Sequence, residues 1–179
     1  DEEREHVFNV MAYKVQHPNV KINHAILHGG DEGSGKDSMW TPFLWAIGGI
    51  HQHNRSIMET GDINSQWGYN LEAEVLILNE LREPEARERR ALSNRLKPII
   101  AAPPETLTIN RKGLHPYEML NRLLVIAFTN DPLPITIPTQ DRRWCCIWSR
   151  AGRMTEEHSA RVWKWYKSGG FEKIGAWLH

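Results

Sequence analysis

The sequence predicts an α/β fold with a mostly parallel, five-stranded sheet flanked by helices. Short apolar runs that suit buried strands alternate with longer segments of helical periodicity. The runs lack the polar–apolar alternation of half-exposed strands, as expected for parallel strands covered on both faces. No Pro-, Gly- or Ser-rich linker interrupts the chain. Residues 1–179 are therefore expected to form one domain, taken from a longer protein.

The first elements surround a glycine-rich stretch. Apolar residues at helical spacing predict a helix over Glu2–Gln16, which His17 and Pro18 end. A strand is predicted at 20–28, with its buried part nearest the glycines. A second helix is predicted at 36–47, ended by two glycines.

The remaining elements follow the same alternation. The segment 84–101 predicts a charged helix with Pro84 in its first turn and Pro98 bending or breaking it near its end. Thr106–Ile109 and the chain from Tyr117 predict a hairpin around a basic turn. The other predicted strands are 56–59, 74–78, 123–129 and 144–148, and the last helices are 155–167 and Phe171–Leu178.

Composition narrows the possible partners. Lys and Arg total 22, as do Asp and Glu, so any polyanion site must be a local patch. The adjacent cysteines Cys145 and Cys146 suit a reducing compartment, and we expect a cytoplasmic protein. The longest apolar runs are too short to cross a bilayer, and the amino terminus lacks a signal-peptide pattern.

The glycine-rich stretch fits the phosphate-loop pattern G-x-x-x-x-G-K, placed between a predicted strand and a predicted helix. Backbone N–H groups of such a loop cradle phosphate oxygens, and its lysine reaches the β- and γ-phosphates of ATP. The alternative is a simple glycine turn. The predicted nucleotide-binding residues are Gly30, Gly33, Ser34, Gly35, Lys36, Asp37 and Ser38.

The predicted Mg²⁺ site departs from the usual pattern in two places. Asp37 follows the lysine where Ser or Thr is usual, and Asn79 ends the apolar run EVLIL where an acid is usual. Carboxylate oxygens suit Mg²⁺, so Asp37 on the loop can supply the negative charge that Asn79 lacks on the strand. The two departures would then compensate for each other. Two alternatives remain: Ser38 supplies a hydroxyl ligand, or Asp37 only stabilises the first helical turn.

Two further polar residues follow apolar strands. Glu80 is placed to act as general base for an attacking water, and Asn130 to bind the γ-phosphate or that water. The alternatives are a surface glutamate and an Asx turn before Pro132.

Basic residues form two groups outside the loop. Arg142 and Arg143, just before a strand, suit contact in trans with a neighbouring subunit's nucleotide, or else a salt bridge with Asp141. If one of them is an arginine finger, Arg143 is preferred. Arg111, Lys112 and His115 surround a glycine turn and suit a DNA backbone, or else form a solvated hairpin tip.

The order of these motifs resembles the superfamily 3 helicases of viruses, in particular the helicase domain of phage and plasmid primase-helicase proteins. The resemblance covers about residues 12–175 and includes GKDS and DRRW. It implies a P-loop NTPase of the AAA+ type whose basic hairpin precedes the sensor strand. It also implies a ring, usually hexameric, that uses ATP and Mg²⁺ to move single-stranded DNA, with a primase domain in the same polypeptide.

In that resemblance Glu80 matches the catalytic acid, Asn130 the sensor and Lys112 the DNA-contacting residue of the hairpin. Arg142 and Arg143 match the arginine-finger region. Two alternative functions are a small P-loop kinase and an ATP-binding or DNA-loading module without turnover, for which Asn79 would mark the lost activity.

Overall fold

A computed structural model describes residues 2–48, 54–64, 68–82 and 85–179. The strands are β1 (Ala25–Gly30), β2 (Arg55–Glu59), β3 (Val75–Asn79), β4 (Thr106–Ile109), β5 (Tyr117–Leu120), β6 (Leu124–Thr129) and β7 (Trp144–Ser149). The helices are α1 (Glu2–Gln16), α2 (Lys36–Gly48), α3 (Ala86–Ile100), α4 (Glu156–Trp165) and α5 (Phe171–Leu178). Short 3₁₀ turns lie at Thr60–Asn64 and Tyr69–Leu71, and an irregular helical turn at Tyr166–Gly170 joins α4 to α5. No helix in the described ranges has both the length and the apolar character needed to cross a bilayer.

Five strands form one sheet in the order β2-β3-β6-β1-β7, and every neighbouring pair is parallel. This confirms the predicted α/β fold with a five-stranded sheet flanked by helices. The hairpin β4–β5 stands apart as a two-stranded antiparallel sheet, as predicted. Because the strands are parallel, the loops after β1, β3 and β6 meet at one edge of the sheet.

Apolar side chains cover both faces of this sheet. On one face the core includes Ile26, Trp40 and Phe43 and joins α1, α2 and α5 to the strands. On the other face Leu76, Leu92 and Leu96 join α3 and the hairpin to the same strands. The central strands β1 and β6 are buried along their whole length, which explains their unbroken apolar runs.

The first strand begins later than the sequence predicts. It starts at Ala25 instead of residue 20 and extends through Gly30. The preceding chain is bound by Lys14, whose buried Nζ donates to the carbonyl oxygens of Pro18 at 2.6 Å and Val20 at 3.0 Å. These bonds hold that segment in a turn, which local sequence does not reveal.

Two predicted helix boundaries also differ. Pro98 lies inside α3, which continues to Ile100, because a proline in the last turn removes only one bond near the helix end. The described part of this helix begins at Ala86, and the predicted start at Pro84 lies outside the described residues. The helix α4 ends at Trp165, two residues before the predicted end, and continues into the irregular turn Tyr166–Gly170, in which Ser168 and Gly169 leave the helical region with φ of −97° and 94°.

A buried histidine sits under the glycine-rich loop. His28 in β1 accepts a hydrogen bond from Trp40 Nε1 at 3.0 Å. Burial, with a smaller effect of the nearby Lys36 charge, lowers the pKa of His28 from 6.5 to about 4. The imidazole is therefore neutral in the folded protein at neutral pH.

Acid is expected to destabilise the fold through His28. Because its pKa is lower in the folded than in the unfolded chain, stability is lost as pH falls from about 6.5 to about 4. The loss is at most about 3 kcal/mol. Urea unfolding at several pH values measures it. His28→Gln keeps an acceptor for Trp40 but does not titrate, so its stability should fall less over this range; an identical pH profile would contradict the assignment.

Candidate functional site

The loop between β1 and α2 wraps around the amino terminus of α2. Gly33 and Gly35 have φ of 74° and 86°, which side-chain-bearing residues rarely adopt. Ser34 N donates to Asp31 O at 3.2 Å, and Met39 N donates to Gly35 O at 3.1 Å. The loop therefore presents backbone at the positive end of a helix, where anions are stabilised.

Lys36 is the buried cation of this loop, with 8% of its surface exposed. Its Nζ donates to Gly30 O at 2.9 Å, to Asp31 O at 3.0 Å and to Asn130 Oδ1 at 2.6 Å. All three acceptors are uncharged, and no carboxylate pairs with Lys36 in the described part of the chain. A buried ammonium group without a counter-ion favours an anionic ligand.

Ser34 adds a second unsatisfied group to the same loop. Its Oγ is buried and has no hydrogen-bond partner among the described residues. Buried hydroxyl groups are normally paired, so an unpaired one beside a buried lysine suits a missing acceptor. A phosphate group would supply both an acceptor for Ser34 and a negative charge for Lys36.

A cleft of about 130 Å³ opens where the loop meets the ends of β3 and β6. It brings together residues predicted from three separate segments of the sequence. Its lining residues are Glu32, Gly33, Lys36, Asp37, Asn79, Glu80, Phe128, Thr129 and Asn130.

The end of β3 holds two of the predicted residues. Asn79 Nδ2 donates to Glu59 Oε1 at 3.3 Å, and Glu59 lies opposite Asn79 in the register of β2 and β3. Glu80 is exposed and has φ of 47°, the one positive value at a non-glycine residue in the described part of the chain. Sequence reasoning missed Glu59, although its place at a strand tip is the signal that identified the other polar residues.

The end of β6 resolves one of the alternatives for Asn130. The turn around Pro132 is made by Asp131, whose Oδ1 accepts from Leu133 N at 2.8 Å. Asn130 makes no such turn, and its Oδ1 instead accepts from Lys36. Asn130 therefore lies in the cleft beside the lysine; its role as a sensor stays a prediction.

A second cavity of about 510 Å³ lies on the other side of the loop. Asp37 lines both cavities, whereas Ser38 lines only this second one. Asp37 therefore faces Asn79 and Glu80, which favours Asp37 over Ser38 as a ligand on that side. The described residues contain no cluster of three or more His, Cys, Asp or Glu side chains able to hold a metal by themselves.

Sequence reasoning also missed the segment after β7. Met154 N donates to Gly33 O at 2.8 Å, and a side chain at Gly33 would meet Arg153 Cγ at 3.0 Å. A side chain at Gly35 would meet Met154 Cε at 2.3 Å. Arg153 is exposed and lies on the phosphate-loop candidate, in the second cavity. No local motif marks it, because the contact joins segments about 120 residues apart.

The paired arginines lie at the opposite edge of the sheet. Arg143 O accepts from Ala25 N, at the start of β1, so the length of β1, roughly 16 Å, separates them from the loop. Arg143 binds Asp141 through Nε at 2.7 Å and Nη2 at 2.5 Å, and this guanidinium lowers the pKa of Asp141. Arg142 is exposed and makes no ion pair in the described ranges, so it is the more available of the two, contrary to the sequence preference for Arg143.

The hairpin separates its three predicted DNA-binding residues. Arg111 donates from Nε to Glu72 Oε2 at 2.7 Å, and the Tyr117 hydroxyl donates to the same carboxylate. Arg111 thus ties the hairpin to the segment before β3. Lys112 and His115 are exposed near the turn and remain the residues open to a partner.

Comparison with known proteins identifies relatives of this chain. The profile of a family of unknown function, DUF5906, matches residues 27–143. A DNA primase-polymerase of Nitratiruptor phage NrS-1 is 31% identical over 119 residues, which are 66% of this chain and 16% of that protein.

Solved structures give the same relative. The apo structure of the NrS-1 C-terminal region has a TM-score of 0.76 and 25% identity, and the match covers 92% of this chain and 40% of that one. An A-form apo structure of the same region has a TM-score of 0.72 and 25% identity, with 96% and 40% covered. The chain therefore spans less than half of the region that it matches.

These findings correct the family inferred from the sequence. The matching family is DUF5906 and the similar proteins are the NrS-1 primase-polymerase and its C-terminal region, so the assignment to the superfamily 3 helicases is wrong. The terms helicase and AAA+ lose their support with it, and no relative supports the term hydrolase, so ATP hydrolysis by this chain is a proposal that rests on the site alone. Proteins of different families that bind phosphate groups share such features: a phosphate-loop pattern, an acid after a strand and a basic hairpin. Their order therefore does not identify a family.

Proposed function

The chain belongs to the DUF5906 family, and from that premise we propose that it is a P-loop ATPase of a DNA replication protein. The observation that carries the proposal is Lys36, a buried cation whose Nζ has only uncharged acceptors. The unpaired Ser34 hydroxyl and the left-handed glycines Gly33 and Gly35 support it, since together they form a cradle for phosphate.

The residues of the cleft fit Mg²⁺–ATP. Asp37 and Asn79 would hold the ion, which supplies charge to offset that of the β- and γ-phosphates. Glu59 accepts a hydrogen bond from Asn79 and so orients its amide, which places a carboxylate directly behind this ligand. Mg²⁺ usually takes one or two protein carboxylates and keeps water and phosphate ligands, so Asp37 with Asn79 is a sufficient set of protein ligands.

The sheet leaves room for water between the loop and the acid. Strand β6 lies between β1 and β3, so two strand spacings, about 10 Å, separate Lys36's loop from the end of β3. Glu80, at that end, takes the proton of the attacking water. Asn130 lies on the intervening strand end and orients the water or the γ-phosphate, while Lys36 stabilises the charge on the transferred group.

The DNA part of the proposal rests on exposed basic residues and on the relative. Lys112 and His115 point outward at the hairpin, and the similar phage protein is named a DNA primase-polymerase. We propose single-stranded DNA as the partner, with primase activity placed outside this chain. Arg142 lies at the end of the sheet opposite the loop, too far to contact a nucleotide bound by its own chain. As an arginine finger it would contact the nucleotide of another copy. We therefore propose a ring-like homo-oligomer.

One observation favours a second candidate. Asn79 occupies a position at which a carboxylate would bind the metal more strongly. The weaker ligand suits a module that binds ATP without hydrolysing it. Asp37 and Glu59 offer carboxylates nearby, which favours the active enzyme.

Calorimetry with ATP and Mg²⁺, and phosphate release with and without a single-stranded oligonucleotide, test the proposal on this chain. We expect Mg²⁺-dependent ATP binding and turnover that the oligonucleotide stimulates. Binding without turnover under any condition supports the second candidate. If the chain binds no nucleoside triphosphate at all, both candidate functions are refuted.

Arg153 is expected to contribute to nucleotide affinity. The Arg153→Ala chain should bind ATP about tenfold more weakly, because one charge-assisted hydrogen bond contributes about 1.5 kcal/mol. Calorimetry with ATP measures the change. Arg150→Ala is the control, since Arg150 is also exposed but lines neither cavity. Equal affinities for both variants would show that Arg153 only packs on the loop.

A further inference from the structure

We propose that the exposed side of α3 is a second nucleic-acid contact, which binds the sugar-phosphate backbone of single-stranded DNA through a row of basic side chains. We call this row the α3 ridge; it consists of the basic residues Arg87, Arg90 and Lys97 together with Asn94. The inference rests on the proposed association with DNA but not on ATP hydrolysis.

The charge of α3 contrasts with that of the whole chain. The helix carries five basic residues and one acidic residue, Glu88, whereas Lys+Arg and Asp+Glu balance over the chain. A local excess of this size creates a positive surface on a protein of zero net charge. Such a patch suits a polyanion.

The excess lies on one side of the helix. Leu92, Ser93, Leu96 and Ile100 are buried against the sheet. At 100° per residue, the steps of three, four and three residues along the α3 ridge place its members in one row, on a flank of the helix turned away from the buried residues. Arg89 falls on the inner side and is not part of it. The row extends about 15 Å, the length of roughly four nucleotides at 3.4 Å each.

The arginines of the row are available. Arg87 and Arg90 are exposed, and neither forms an ion pair in the described ranges. Lys97 Nζ donates to Asn94 Oδ1 at 2.5 Å, within the row itself. Like charges three residues apart destabilise an isolated helix, so the arrangement has a cost that a bound polyanion removes.

The α3 ridge leads into a polar region with one unpaired arginine, Arg142, among the described residues. Residues Ala101 and Ala102, just beyond α3, line a polar cavity of about 730 Å³ together with Asn23, His24 and Arg142. Lys97 is close enough to Asp141 to help lower the pKa of that carboxyl. A DNA strand that lies along the α3 ridge would therefore meet further hydrogen-bond donors beyond the end of the helix. Arginine guanidinium groups bind phosphates through two parallel hydrogen bonds. They bind carboxylates in the same way, so the experiment compares oligo(dT) with an acidic polypeptide.

The test measures binding of a labelled oligo(dT) to the full chain by fluorescence anisotropy, without nucleotide and at several salt concentrations. The variant Arg87→Glu/Arg90→Glu should lower affinity at least tenfold. It should also reduce the slope of log K against log salt by about 1.4, the value for two lost phosphate contacts on a single strand. The matched control is Arg161→Glu/Lys164→Glu, two exposed basic residues with the same spacing on α4.

Three results would overturn the inference. The first is unchanged binding by the α3 variant, including the case in which only Lys112→Ala weakens binding. The second is an equal loss in the α4 control, which would mean a general effect of net charge. The third is binding of poly-glutamate to the unmodified chain as tightly as oligo(dT), which would indicate an acidic protein partner. Coinciding thermal melts exclude misfolding, and Arg87→Gln/Arg90→Gln should give a smaller loss in the same direction. Since no ATP is present, failure of the ATPase proposal leaves this result readable.

Discussion

The Lys36→Ala chain is expected to bind Mg²⁺–ATP at least about 100-fold more weakly than the unmodified chain, and to lose all measurable turnover. The lysine supplies the one buried positive charge of the loop, and charge-assisted bonds to phosphate contribute roughly 2–3 kcal/mol. Isothermal calorimetry and phosphate release measure the two effects.

Two controls separate lost binding from lost folding. Lys173→Ala changes an exposed lysine on α5 and should bind ATP normally. Lys36→Met keeps most of the buried side-chain volume, so it should fold and still fail to bind. Retention of ATP affinity by both Lys36 variants would refute the phosphate-loop assignment.

The Glu80→Gln chain is expected to bind ATP with nearly unchanged affinity but to hydrolyse it about 10²–10⁴ times more slowly. Glutamine keeps the size of the side chain and removes the proposed proton acceptor, and a general base contributes a factor of this order. Calorimetry gives the affinity, and single-turnover phosphate release gives the rate.

Glu157→Gln is the matched control, because Glu157 is exposed on α4 and lies outside the cleft. Its rate should equal that of the unmodified chain. A normal rate for Glu80→Gln would mean that another group, such as Glu59, accepts the proton.

Most of the fold could be predicted because the central strands are buried on both faces. Each of β1, β3 and β6 contains a run of at least three consecutive apolar residues that ends at a polar residue, and this pattern predicts a buried strand. Their boundaries were less certain, because they depend on contacts distant in sequence. The start of β1 is one case: Lys14 on α1 holds residues 18–20 in a turn, and no pattern near those residues predicts it.

The candidate site was predictable where its residues share a local motif. The loop and the tips of β3 and β6 could be located because each follows an apolar run and precedes a turn. Arg153 was missed, since it approaches the loop only through tertiary structure. Glu59 was missed although it ends a predicted strand, because its pairing with Asn79 depends on the order of the strands. The state of Arg143 was also hidden: an Asp two residues earlier allowed either a salt bridge or a free arginine, and the structure has the salt bridge.

The left-handed backbone at Glu80 lowers the stability of the fold and at the same time positions the Glu80 side chain. Neighbouring residues on a strand point to opposite faces, so a regular β3 would carry Asn79 and Glu80 away from each other. Leaving the β region at Glu80 allows both to line one cleft. A side chain in this region costs roughly 1–2 kcal/mol that glycine would not incur. The chain therefore gives up folding free energy at position 80 to direct a carboxylate at the cleft, and glycine, the better residue for the backbone, is the worse one for the proposed reaction.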